Sequence, residues 1–332
     1  MICNKAIALL FRRDFNFLTK LKYVEYKLFG KYCTPFCYNT PSIVAIEITS
    51  KCNFGCVWCL KRTIKYPPKD MNKEHVMSLV SQFKGVEQLF LFGLGEPLLY
   101  PIDDLVEIIN YSKKYVPFVS FVTNGSKLSK EISQKLSSSK LSQLRVSIDS
   151  PDPKIYKEIR RYDLSKIKEN LKRFSKISHM PLRLQAVASN KNIDSLEFMP
   201  EFCVSVGAKI LSIQCLLESE ASRSNNIISA ESAETKKLLD KIEKKCNKMQ
   251  IEFKNVNIIE ADVSTHYCFD PFYKAFINVN GYITPCASFV KEELNKSDNF
   301  YSMWNSVEAK NFRKRIITKQ YPDFCKGLCN KK

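Results

Sequence analysis

Three cysteines, Cys52, Cys56 and Cys59, stand at C-x3-C-x2-C spacing directly after a β-like apolar run, Ile43 to Ile48. Three thiolates on one short loop can hold three corners of a cubane iron–sulfur cluster, and no fourth cysteine lies close in sequence to take the last iron. That open iron is where chemistry would occur. A structural zinc loop is the alternative. Such loops usually pair their first cysteines with a second Cys/His pair at a set distance, and none follows Cys59.

The period of the apolar residues sets the scaffold around this loop. Further β-like runs are Gln88 to Phe92, Phe118 to Val122, Leu144 to Ile148, Arg183 to Val187 and Ile210 to Gln214. Helical stripes lie between them, such as Val76, Leu79, Val80 and Phe83, or Leu164, Ile167, Leu171 and Phe174, and a Lys- and Glu-rich helix runs from about Ala230 to Met249. Six strand-then-helix units imply parallel strands joined by right-handed crossovers. Six is too few for a closed eight-stranded barrel, so a splayed partial (β/α)6 barrel or a doubly wound sheet fits.

In either architecture ligands collect at the carboxyl ends of the strands. The thiol loop lies there. So do Gly93-Leu94-Gly95-Glu96-Pro97, Thr123-Asn124-Gly125, Ser147-Ile148-Asp149-Ser150 and Ser189-Asn190. Each alone reads as an ordinary turn. Their joint placement outlines a single pocket.

The flanks differ from this core. Residues 1–41 form a preamble in which Phe17, Leu21, Val24 and Leu28 mark an amphipathic helix, with Lys20, Lys22 and Lys27 off the stripe. The stripe is expected to close the open end of the main domain, with contact to a membrane surface or a partner as the alternative. Cys33 and Cys37, two ligands without a site, are taken as structural. Beyond the core (42–254), residues 255–332 read as a small cysteine-rich domain. A hairpin turning at Asn280-Gly281 is flanked by Cys268 and Cys286, and the last loop holds Cys325 and Cys329, which makes four thiolates. Cys203, Cys215 and Cys246 fall in the apolar periodicity as small core residues.

Composition bounds the setting. Of the formal +18, eleven units sit at the ends: residues 1–39 carry seven Lys/Arg against two acids, and 306–332 carry eight against two. Basic ends can meet anionic lipid, nucleic acid or an acidic peptide, but a solvated Lys-rich surface is the simpler reading, and nucleic acid is not the expected partner. Thirteen cysteines without a secretory leader or a membrane-length apolar run place the chain in a reducing cytoplasm.

Taken together, these residues resemble the radical S-adenosylmethionine (SAM) superfamily, in the branch with a C-terminal SPASM or twitch extension. The likeness rests on the C-x3-C-x2-C loop and on the Gly-Leu-Gly-Glu-Pro run, which resembles the family's Gly-Gly-Glu-Pro motif. It extends to Cys268, Gly281 and Cys286, which match the leading signature of the extension. The resemblance implies that Cys52, Cys56 and Cys59 ligate a [4Fe–4S] cluster whose open iron is chelated by SAM. Gly93, Gly95 and Glu96 would hold the methionine ammonium, and Ser147 and Arg160 its carboxylate, unless Arg160 is simply a surface arginine. Trp58 would lie near the adenine or pack in the core; Asn124 and Asn190 would touch the ribose or adenine, or cap and turn the chain. Cys268, Cys286, Cys325 and Cys329 would bind one auxiliary [4Fe–4S] cluster, with four-cysteine zinc as the alternative.

The implied reaction is reductive cleavage of SAM to a 5′-deoxyadenosyl radical that abstracts hydrogen from a substrate, with the electron drawn from a flavodoxin- or ferredoxin-type donor. The leading substrate is a ribosomally made peptide that is oxidised or crosslinked. A sugar, aminoglycoside or other small metabolite, dehydrogenated or epimerised, is the alternative, and a non-catalytic iron–sulfur electron carrier is the third reading. Ala287 stands where sulfatase-maturing members carry Asp, which argues against that activity. No side chain that acts on the substrate can be named from the sequence.

Overall fold

The computed structural model describes residues 17–29, 32–63, 67–216, 228, 232–255, 268–286, 293–322 and 325. The six apolar runs are strands: β1 (Ile43–Ile46), β2 (Gln88–Leu91), β3 (Phe118–Thr123), β4 (Gln143–Ser147), β5 (Leu182–Ala188) and β6 (Ile210–Cys215). A seventh, β7 (Glu252–Asn255), continues the series, and the strands pair in chain order, each neighbour parallel. Between them run α2 (Lys73–Val80), α3 (Ile102–Ser112), α4 (Lys130–Ser137), α5 (Pro153–Arg160), α6 (Leu164–Ile177), α7 (Met199–Val206) and α8 (Ala233–Lys248), after the N-terminal α1 (Phe17–Phe29).

Unbroken strand order with crossovers of one hand places the helices on one face of the sheet. Consecutive helices accordingly pack on one another in one layer, from α2 through α8 apart from the short hop across β4. A doubly wound sheet would reverse its order and split the helices between two faces. The architecture is therefore the partial barrel.

Alternation along the strands separates the faces. Val44, Ile46, Leu89, Leu91, Val119, Phe121, Leu144, Val146, Leu184 and Ile213 point into the main core beneath the helices. The inner face carries smaller apolar clusters, one of Ala45 and Phe276 with Phe90, Phe92, Leu94 and Leu60, and one of Ile43 and Tyr273 with Phe90 and Phe269. Arg145 and Arg183 share that inner face.

Local chemistry fixes the helix starts. Asn72, Ser129, Asp152, Asp163 and Ser232 each accept a backbone N–H of the first turn from the N-cap position. α7 ends at Gly207 with φ of 75°, a left-handed cap that glycine adopts freely.

The chain then returns to its beginning. β8 (Lys274–Ile277) and β9 (Ile283–Thr284) form the expected antiparallel hairpin, and β8 pairs in parallel with β1. α9 (Phe300–Trp304) and α10 (Val307–Ile317) follow, with Trp304, Phe312 and Ile316 buried and Val307 exposed.

The orientation of α1 corrects the sequence reading. The helix is present, but Phe17 and Leu28 are 72% and 68% exposed, and Leu21 is 43% exposed. Thr19, Lys22, Tyr23 and Tyr26 are buried instead. Tyr23 and Tyr26 pack on Phe269 and Phe272 just before β8. Lys22 joins them because its ammonium pairs with Glu25 at 3.1 Å and donates to the Thr34 carbonyl at 2.6 Å. Aromatic partners and a satisfied cation outweigh the aliphatic stripe.

Candidate active site

The thiol loop leaves the top of β1 and is held from three sides. The Val57 N–H donates to the Ile159 carbonyl on α5 at 3.0 Å, and the Glu96 N–H donates to the Lys51 carbonyl at 2.7 Å. Asn53, inside the cysteine motif, exchanges side-chain hydrogen bonds with Asn124 at 3.0 Å and Ser126 at 2.9 Å. The loops after β2 and β3 and the end of α5 thus fix where the three sulfurs stand.

Two glycines permit the closest of these approaches. A Cβ on Gly95 would lie 2.0 Å from the Thr49 carbonyl oxygen, and one on Gly93 would lie 2.4 Å from Cγ of Glu47. Glu96, 2% exposed, clamps the next loop: one carboxylate oxygen accepts from the Thr123 hydroxyl at 2.5 Å and the Leu98 N–H at 3.1 Å, the other from the Asn124 N–H at 2.7 Å. Burial pushes its carboxyl above the usual range, opposed by those same hydrogen bonds.

Arg160 closes the rim. Its Nε lies 2.6 Å from Oδ2 of fully buried Asp149, an ion pair without hydrogen-bond alignment, and its Nη1 faces the Cys56 sulfur at 3.7 Å. Burial alone would lower the guanidinium, but the Asp149 charge, with Cys56 next, raises it. Arg161 follows with a φ of 58°, turning the chain away beside Gly55. Ser147 ends β4 half-buried on the inner face, its hydroxyl without a hydrogen-bond partner among the described residues.

The sequence profile of the radical SAM superfamily matches residues 46–179, and that of the SPASM iron–sulfur cluster-binding domain matches residues 268–330. The chain belongs to the radical SAM superfamily. It is a radical SAM enzyme of the SPASM/twitch branch. A probable GTP 3′,8-cyclase of Methanocaldococcus jannaschii is 28% identical over 258 residues, which cover 73% of this chain and 83% of that one. Streptococcus suis SuiB, solved with its precursor peptide SuiA, superposes with a TM-score of 0.66 at 18% identity, over 88% of this chain and 69% of SuiB. anSMEcpe with bound AdoMet and the Cp18Cys peptide gives 0.65 at 17% identity, over 88% and 90%. At these identities the solved structures show the shared fold.

Radical SAM and SPASM domains carry a [4Fe–4S] cluster with SAM and an auxiliary cluster. The residues present fit the first. Cys52, Cys56 and Cys59 carry free thiols, and burial pushes those of Cys52 and Cys59 upward, with Glu96, Cys56 and Cys59 adding to the rise at Cys52 and Cys56 at Cys59. Iron would relieve that penalty by replacing the protons. Arg160 already offers Cys56 a cation. Among the described residues no three His, Cys, Asp or Glu side chains are gathered as around a single ion; a cubane spreads its thiolates over separate irons. For the auxiliary cluster, Cys268, Cys286 and Cys325 are each partly buried at the foot of the hairpin and the end of the chain. Cys329 lies outside the described residues.

The other expected residues divide. Gly93, Gly95, Glu96, Asn124, Ser147 and Arg160 gather at the rim, and Trp58 stands half-buried on the thiol loop. Glu96 and Asn124 are, however, engaged by protein: Asn124 also accepts from the Ser126 N–H and hydroxyl. Asn190 is exposed in its turn. The organiser there is Asn192, 1% exposed, whose amide donates to the Asp149 carbonyl at 2.5 Å and the Val187 carbonyl at 2.8 Å. Glu47 was also missed. Its buried carboxylate accepts from the Leu94 N–H at 2.6 Å and the Val279 N–H at 3.1 Å, joining the glycine loop to the hairpin. An acidic residue one step beyond an apolar strand is the signal that marks it.

No helix among the described residues is long and apolar enough to cross a membrane.

Proposed function

We propose that this enzyme oxidises or crosslinks a peptide held against the inner face of the partial barrel. The observation that carries the reading is the partly buried apolar strip of Phe90, Phe92 and Leu94, which runs from the middle of β2 to the glycine loop beside the thiols. Such a strip receives apolar side chains of an extended ligand directly below the reacting centre. Two of the structural neighbours hold peptides in their crystals, which supports the same use here.

Cys52, Cys56 and Cys59 would hold the [4Fe–4S] cluster, which would supply the electron for reductive cleavage of SAM and so the radical chemistry of the reaction. The chain's part is positional. Backbone groups of Gly93 to Gly95 and the free hydroxyl of Ser147 are placed to hold the methionine end, while Glu96 and Asn124 lock the loops that present them. Asp149 sets the Arg160 guanidinium toward Cys56. A flavodoxin- or ferredoxin-type protein would donate the electron.

A second reading is a small anionic metabolite, favoured by Arg145 and Arg183 on the inner face and by the nucleotide substrate named for the archaeal relatives. Anaerobic incubation of the reconstituted protein with SAM and dithionite tests the chemistry. 5′-Deoxyadenosine must form with wild type and fall to background in Cys56→Ala; equal yields from the two sink the proposal. Stimulation of that yield by candidate peptides, or by nucleotides instead, decides between the substrates.

A further inference from the structure

Arg145 on β4 and Arg183 on β5 are register partners on directly neighbouring strands, so their backbones lie about 4.8 Å apart. Both side chains rise from the inner face, since their flanking neighbours Leu144, Val146, Leu182 and Leu184 point into the helix-covered core. Arg183 is 9% exposed, and its Nε donates to the Ser212 hydroxyl at 2.9 Å. Arg145 donates from Nε to the Gln143 side chain at 3.0 Å, and its guanidinium lies over the Phe90 ring at 4.4 Å and near Phe118 at 6.0 Å.

No carboxylate among the described residues forms an ion pair with either guanidinium. Glu252 faces Arg183 at longer range but is paired with Lys254 at 3.0 Å. Desolvation, and for Arg145 the adjacent Arg183 charge, disfavours the charged form of both. Two like charges side by side, Arg183 buried and Arg145 half-buried, cost stability unless an anion joins them. Elsewhere the fold satisfies its buried cations: Arg160 has Asp149, Lys22 has Glu25, and Arg313 donates to the Pro271 and Trp304 carbonyls.

We propose that Arg145 and Arg183 form the seat for an oxyanion of the substrate, a phosphate or a carboxylate, one pleat below Ser147 on the inner face. Only the Nε of each guanidinium is taken by a protein acceptor among the described residues, Gln143 for Arg145 and Ser212 for Arg183, so the terminal N–H groups of both are left for an oxyanion seated between them. Ser147 lies two residues further along β4 from Arg145, roughly 7 Å toward the thiol loop. A substrate anchored at the arginines therefore extends upward to the reacting centre. The inference rests on the proposed function in calling this ligand the substrate.

The test uses the full-length, cluster-reconstituted protein in buffer free of phosphate and carboxylate. Titrations with inorganic phosphate and, separately, with acetate are followed by calorimetry and thermal melting for wild type, Arg145→Gln and Arg183→Gln. Wild type is expected to bind one of the anions saturably and to melt higher in its presence. Each variant should bind at least about tenfold more weakly. Each should also melt higher than wild type without anion, because one of two neighbouring like charges without a carboxylate partner is gone, whereas a structural arginine would leave its variant melting lower. Preference for phosphate assigns a phosphate ester and preference for acetate a carboxylate. Absence of saturable binding to wild type, unchanged affinity in the variants, or lower melting of the anion-free variants overturns the proposal. Anion binding without SAM cleavage in the same preparations would refute the proposed function and leave the seat standing; cleavage without anion binding would do the reverse.

Discussion

Nε of Arg160 lies 2.6 Å from Oδ2 of Asp149, joining the last residue of α5 to the chain just beyond β4, and the same guanidinium faces the Cys56 sulfur. Asp149 is fully buried and the Arg160 side chain is 13% exposed. Asp149→Ala would leave that guanidinium without its carboxylate, a loss on the order of 3–5 kcal/mol. Thermal unfolding of the variant should fall by several degrees. A melting temperature within a degree of wild type would show that the pair contributes little.

The glycine loop predicts a sharp contrast. Gly95→Ala forces the new Cβ toward the Thr49 carbonyl, 2.0 Å away, where backbone must move. SAM affinity, measured by equilibrium dialysis, should drop by at least about tenfold while far-ultraviolet circular dichroism is retained. Gly55→Ala, although inside the cysteine motif, meets nothing nearer than 3.8 Å and should bind SAM as wild type does.

The inverted face of α1 gives a stability pair. Tyr26, 3% exposed among Phe269 and Phe272, should cost about 3–5 kcal/mol when cut to alanine. Phe17→Ser, at a site 72% exposed, should stay within about 0.5 kcal/mol of wild type. Urea unfolding of both variants checks the orientation, and a reversed order would contradict it.

Asp163 caps α6 by accepting from the Ser165 N–H at 2.9 Å and hydroxyl at 2.8 Å, and these bonds hold its carboxyl below the ordinary 3.8. A depressed folded value means stability that is present above the unfolded pKa and lost as pH falls through the folded one. Asp163→Asn keeps a capping oxygen but does not titrate. Wild type should therefore exceed the variant in urea midpoint near neutrality, and the gap should close on acidification below the ordinary carboxylate range. A gap constant with pH would exclude the carboxylate as its source.

Much of this was legible in the residues because period and position carry it. Alternating and continuous apolar runs located β1 to β6 to within two residues at their ends, and the polar residues after them gathered at one rim as parallel-strand geometry requires. The misses share a cause. Lys22 reads as surface until Glu25 and Thr34 are known to meet it, so the buried face of α1 depended on a tertiary partner. β7, only Glu-Phe-Lys-Asn, has no apolar run because it is the partly exposed outer strand of the sheet. Asn190 and Asn192 are alike by type and turn context; only the fold shows which amide reaches Asp149. Arg145 lies inside one apolar run and Arg183 opens another, and their pairing appears only once β4 and β5 are in register.

β8 lies alongside β1, and Glu47 bonds to the end of β8 through its N–H, to the Ile277 carbonyl at 2.8 Å, and to the chain just beyond it through its carboxylate, which accepts from the Val279 N–H. A protein cut after Asn255 would leave the backbone of Ile43–Ile46 unpaired along one side, a ready template for another chain. Cys268 precedes β8 and Cys286 follows β9, so whatever loosens that hairpin also frees one side of the strand leading into Cys52. The cysteine segments at the two ends of the chain are thus tied to one another through the four paired residues of β1.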